Sequence, residues 1–134
     1  MLAGSAIRRV AIVGGQRIPF ARAHGAYAAV GNQDMLSAVL RTLVAKFNLA
    51  GVRLGDVIAG ATIKHSRDFN LVRECVLSSG LDPHTPGLDI QRACGTSLEA
   101  AILIGGKIAL GQIDAGIAGG VDSVSDVPIV YPRS

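Results

Sequence analysis

The sequence predicts an α/β fold, a mostly parallel sheet covered by helices on both faces. Three observations predict it. Short apolar runs alternate with longer stretches of helical periodicity, in the order strand-helix-strand-helix-strand-helix-strand. The strand runs are nearly continuous in apolar residues, as strands covered on both faces must be. The interior is drawn from Ala, Val, Ile, Leu and 17 Gly, with only 4% aromatics, which suits helices packed closely on a sheet.

The first strand is expected over residues 7–14, with Gly14-Gly15 ending it and Pro19 barring regular structure beyond. Residues 21–31 read as loop. Asn32 or Asp34 can cap a helix that runs to about Asn48. Its apolar face is Met35, Leu36, Val39, Leu40, Leu43, Val44 and Phe47. Val57-Ile58-Ala59-Gly60 is the second strand, followed by a polar loop over 62–69. Asp68 or Asn70 can cap the second helix, which extends to about Ser79 and stops at Gly80. Leu88–Gln91 is the third strand. The third helix is expected from Cys94 to Leu110, with Gly111 as its stop. Residues 115–121 form a fourth strand with little side-chain bulk. Residues 122–134, with Ser123, Ser125, Asp126, Pro128 and Pro132, read as loop. A sheet that ends in a loop without a closing helix predicts a fragment of a larger unit.

Composition narrows the function. With 49% apolar and 17% charged residues, the chain is a packed domain and not a disordered tail. The net charge of +3 comes from 13 basic residues scattered among 10 acidic ones. No basic run and no aromatic interleaving exists, so nucleic acid is not the expected partner. An anionic small molecule fits better. The run Val10–Val13 is too short for a signal core or a membrane span. The apolar stretch 98–110 is broken by Glu99 and Lys107, so no transmembrane segment is expected. Cys75 and Cys94 are far apart and lie in different local patterns, which argues against a disulfide. A reducing, cytoplasmic setting is the expectation.

Cys94 carries the strongest chemical signal. It stands where a strand run turns into a helix of small residues, and Ala93, Gly95, Thr96 and Ser97 leave its sulfur approachable. Backbone N–H groups and the dipole at a helix start favour negative charge, on a thiolate or on an oxyanion. The competing reading is a buried cysteine, the commonest fate of the residue, and that reading is taken for Cys75. His65, just past a strand in a polar loop, is a candidate site neighbour, as are Gly95 and Ser97. His24 and His84 read as exposed loop residues. No histidine or cysteine spacing suits a metal, so no metal is expected. Gly14-Gly15 lacks a G-x-G-x-x-G and is followed by Pro19, which opposes dinucleotide binding. Gly119-Gly120 predicts a close backbone approach. Asp122 and Asp126 read as turn formers.

Five segments in order carry a resemblance. They are Arg17-Ile18-Pro19-Phe20, Asp56–Gly60, Asn70-Leu71-Val72-Arg73, Cys94-Gly95 with Leu98-Glu99-Ala100, and Gly119–Ser125. Together they resemble the N-terminal part of the thiolases, the acetyl-CoA acetyltransferase and 3-ketoacyl-CoA thiolase family. The run Lys64–Asn70 and the Cys94-Gly95-Thr96 opening are most similar to the branch of the fatty-acid oxidation complex β-subunit. The chain departs from the family at Ser97 (usually Gly), Gln91 (commonly Asn) and Asp122 (usually Glu).

The resemblance implies a three-layer α/β/α fold, here the incomplete N-terminal half, with a core over about 7–121 and the start of a loop region over 122–134. It implies ping-pong acyl transfer, with Cys94 acylated and its backbone N–H contributing to an oxyanion hole. Coenzyme A and acyl-CoA enter as substrates, with no bound cofactor. The acyl group would pass to coenzyme A in fatty acid β-oxidation, or to an acetyl-CoA carbanion in condensation. The activating histidine and a second acid/base cysteine would lie in a C-terminal half outside these residues, so the fragment alone is expected to be inactive. A homodimer or homotetramer, with a possible hydratase/dehydrogenase partner subunit, is implied for the full-length protein. A non-catalytic interaction module of the same fold and a ketoacyl-synthase-type condensing enzyme are the alternatives.

Overall fold

A computed structural model describes residues 6–133. Helix α1 (Asn32–Lys46) leads to strand β1 (Asp56–Ala59) and a short 3-10 turn at Ser66–Asp68. Helix α2 (Leu71–Leu77), strand β2 (Gly87–Asp89), helix α3 (Thr96–Ala109) and strand β3 (Gly116–Ala118) follow. The three strands are parallel, in the order β2-β1-β3. Ile58 pairs with Leu88 on one side and with Ala118 on the other.

This order places the helices. The chain moves from β1 to β2 in one direction, then from β2 past β1 to β3 in the other. Crossovers of one hand that travel in opposite directions put their helices on opposite faces. Accordingly α2, with α1, covers one face and α3 the other. Side chains of β1 alternate between the two layers. Val57 and Ala59 pack with Leu36, Leu40, Val44, Leu71, Val72 and Val76. Ile58 packs with Ala100 and Ile104 of α3. The fold is therefore an α/β/α sandwich with a parallel sheet, as the alternation predicts.

Local chemistry explains the element ends. The Asp34 carboxylate accepts the Gly31 N–H at 3.2 Å, so Gly31 occupies the cap of α1 and Asn32 is its first residue. Asn32 turns inward instead and donates its amide to Ile63 O at 2.7 Å. The Asp89 carboxylate, at the end of β2, accepts the Leu71 and Val72 N–H groups at 3.2 and 2.8 Å. That anion satisfies the α2 start in place of an Asn70 or Asp68 side chain. Gly80 stops the segment with φ +92°, a conformation other residues adopt at a cost.

The expected first strand does not form. Residues 7–14 carry no sheet pairing and are exposed, Ile12 at 93%. A β pattern needs a neighbouring strand to ladder against. Among the described residues this segment's backbone bond to another element is Arg8 N–H to Ala109 O at 2.9 Å. Arg8 also pairs with Asp114, and Lys46 reaches Gly15 O at 3.2 Å, so the segment is tied to α3 and α1 but not to the sheet. The third helix also begins two residues later than expected, at Thr96, because Ala93 to Gly95 form a turn.

Candidate active site

The carboxyl ends of parallel strands are where α/β sheets place their sites. Here the exits of all three strands meet. They border an open pocket of about 320 Å³ lined by Phe20, Gly60, Ala93, Cys94, Thr96, Ser97, Gly120, Val121 and Asp122. Gly60 follows β1, Ala93 and Cys94 follow β2, and Gly120 to Asp122 follow β3.

Cys94 sits in the tight turn between β2 and α3, exposed as a free thiol. The residue before it, Ala93, has φ +44°, a left-handed conformation that costs a non-glycine residue about 1–2 kcal/mol. The surrounding hydrogen bonds hold it there. The Gln91 side-chain oxygen accepts the Ala93 N–H at 2.9 Å. The Thr96 hydroxyl donates to Ala93 O at 2.8 Å and accepts the Arg92 N–H at 2.8 Å. Gly95 N–H returns to Arg92 O at 2.9 Å. Gly95 is then the residue on which α3 begins. The turn thus presents the thiol at the cavity while its neighbours' polar groups are satisfied.

Two glycines make the cavity possible. A side chain at Gly60 would place its Cβ 1.7 Å from Ile90 O. A Cβ at Gly120 would lie 3.1 Å from the Ser97 Cβ. Gly120 is part of the Gly119-Gly120 pair from which a close approach is expected, and the partner is the first turn of α3.

Of the candidate site residues, Cys94 and Ser97 line this cavity, Gly95 caps α3, and His65 stands apart. The His65 ring nitrogen Nε2 lies 2.9 Å from Asp126 O and 3.1 Å from the Asp126 carboxylate, which Arg67 also binds. Asp126 with Arg67, Asp68, Asp34 and Gly31 borders a separate cavity of about 330 Å³. Asp122 and Phe20 join Cys94 at the cavity, although the sequence pattern marks neither as a site residue. Asp122 is bound to the Thr62 and Ile63 backbone, a partnership across the fold that no local pattern announces. Phe20 arrives on a segment without regular structure.

The arrangement offers an exposed free thiol beside a space large enough for a small organic group. No histidine among the described residues lines the Cys94 cavity, and the one carboxylate there, Asp122, already accepts two backbone N–H groups. Among the described residues, no three His, Cys, Asp or Glu side chains gather closely enough to hold a metal ion. Cys75 has the opposite character. It is fully buried, its Sγ 3.7 Å from Gln33 O, and burial pushes its thiol up to about 11.

Comparison with known proteins agrees with this geometry. The thiolase N-terminal domain family matches residues 10–134. A 3-ketoacyl-CoA thiolase of Shewanella sp. (strain ANA-3) is 37% identical over 121 residues, 90% of this chain and 28% of that protein. One from Vibrio cholerae is similar to the same extent. The crystal structure of the Bacillus anthracis acetyl-CoA acetyltransferase superposes with a TM-score of 0.77 at 26% identity, covering 83% of this chain and 28% of that one. The chain thus spans about 28% of the length of the curated relatives it matches. An α/β/α sheet, a free cysteine at the strand exits and a family match over nearly every residue lead to one conclusion: the chain belongs to the thiolase family, through its N-terminal domain.

Proposed function

We propose that this chain is the nucleophile-bearing part of an acyl-CoA:acetyl-CoA C-acyltransferase. The observation that carries the reading is Cys94, an exposed free thiol on a cavity built from the exits of three parallel strands. In thiolysis the Cys94 thiolate adds to the keto carbonyl of a 3-ketoacyl-CoA. The bond between that carbon and the adjacent methylene breaks, and the methylene leaves as the acetyl-CoA carbanion, which takes a proton. The acyl group remains as a thioester on Cys94. A coenzyme A thiolate then attacks that thioester, giving a shortened acyl-CoA and freeing Cys94. The Cys94 backbone N–H contributes to holding the oxyanion of the first addition. Condensation runs the same bonds in reverse.

The base that activates Cys94 and the acid that protonates the carbanion come from residues outside this chain. So does most of the coenzyme A site, and residues 1–134 alone are inactive. The resemblance of Lys64–Asn70 and Cys94-Gly95-Thr96 to the fatty-acid oxidation branch is what supports the degradative direction in this reading. A homodimer or homotetramer completes the enzyme in this reading. Coenzyme A thioesters are substrates, and no cofactor is bound. No described helix is long and apolar enough to cross a membrane.

The test is initial-rate kinetics on the protein that carries this segment, purified from its native source. Parallel double-reciprocal lines with 3-ketoacyl-CoA and coenzyme A, abolished by Cys94→Ala, are expected. Full activity in Cys94→Ala overturns the assignment. No transfer in the unaltered protein favours the non-catalytic interaction module.

A further inference from the structure

We propose that Asp122 is a positioning residue for acylation of Cys94, a strut that holds one wall of the acyl cavity. The inference rests on the reading of Cys94 as the nucleophile. Asp122 lines the same cavity. Its Oδ1 accepts the Thr62 N–H at 3.0 Å and the Ile63 N–H at 2.8 Å, and its Oδ2 lies 3.2 Å from the Thr62 nitrogen. Hydrogen bonds to an ionised acceptor are the strong ones.

The position of this strut gives it its role. Backbone bonding between the exits of β1 and β3 ends with Gly119 N–H to Ile58 O and Val121 N–H to Gly60 O, both 3.0 Å. Beyond that point the Asp122 carboxylate makes the link. The wall it secures contains Gly60 and Gly120, where an added Cβ would meet Ile90 O and the Ser97 Cβ, so the backbone there is already closely packed. The carboxylate extends that fixed geometry to Thr62 and Ile63, where the sheet bonding has ended. The loop it holds continues to Ile63, whose carbonyl accepts the Asn32 amide at 2.7 Å, so the strut joins the cavity wall to α1. With its carboxylate committed to two N–H groups, Asp122 acts through the wall and not as the base for Cys94. Misplacing a reacting group by about 1 Å costs on the order of a hundredfold in rate.

The experiment compares Asp122→Ala and Asp122→Asn in the full protein. Two rates are read at Cys94: acylation by acetyl-CoA, and alkylation by iodoacetamide, which needs an accessible thiol but no shaped cavity. Asp122→Ala is expected to slow acylation about ten- to a hundredfold and to leave alkylation unchanged. Asp122→Asn keeps an acceptor for the two N–H groups and is expected to recover most of the acylation rate. Acylation at the unaltered rate in Asp122→Ala overturns the proposal. So does a parallel fall in both reactions, or an Asn variant as slow as Ala. Absence of acylation in the unaltered protein instead removes the nucleophile reading, and this inference with it.

Discussion

Cys75 and Cys94 are the same side chain in two regions built for opposite ends. Cys75 is on α2 with its thiol turned to α1, where Leu36, Leu40, Leu71 and Val72 fill the space and water is excluded. Its thiol is held in the neutral form, a small apolar filler. Cys94 stands where three strands stop and glycines replace side chains, and its sulfur is open to solvent. Packing makes one thiol inert. The withholding of packing makes the other available, at the expense of a left-handed Ala93 that Gln91 and Thr96 must hold in place.

The contrast is most severely tested on the glycine side. Gly60→Ala would drive a Cβ to within 1.7 Å of Ile90 O, a backbone atom that cannot step aside. A loss of about 3 kcal/mol or more is expected. The same change at Gly106 on α3, where nothing lies within 4 Å, is expected to stabilise by about 0.5–1 kcal/mol. Urea midpoints of the two variants check both signs. Equal midpoints would mean that the strand exits are not held as closely as described.

On the buried side the test is alkaline pH. The Cys75 thiol is pushed up to about 11 from an ordinary 9.0, so folding favours its protonated form. The unfolded chain releases that proton first as pH rises past about 9. The contribution is therefore complete below pH 9, declines from there, and is gone once the folded thiol titrates near 11. The decline attributable to this group is about 2–3 kcal/mol. Denaturant unfolding between pH 8 and 11 should show it, and Cys75→Ala should remove it. An unchanged slope in that variant would place the titration elsewhere.

What the sequence made legible follows the range of the interactions. Helical periodicity over Met35, Leu36, Leu40 and Val44 is local, and it located α1 and its buried face. The continuous apolar run at Val57–Ala59 located the fully buried central strand. The change from strand to small-residue helix located Cys94. The misses depend on distant partners. Residues 7–14 have a strand's composition, but a strand also needs a neighbour, and sequence pattern does not supply one. Local pattern makes Asp122 a turn former, because its partners, Thr62 and Ile63, belong to another strand's exit. The loop position of His65 predicts a place near the site, yet the ring pairs with Asp126, a residue that only the fold brings to it.

In the proposed reaction Cys94, and not Cys75, takes the acyl group. The most direct test is intact-protein and peptide mass measurement of the protein carrying this segment, from its native source, before and after brief exposure to acetyl-CoA. One acetyl group is expected, mapped to the peptide containing Cys94, retained in Cys75→Ala and lost in Cys94→Ala. An acetyl group on Cys75, or acetylation that survives Cys94→Ala, would contradict this assignment.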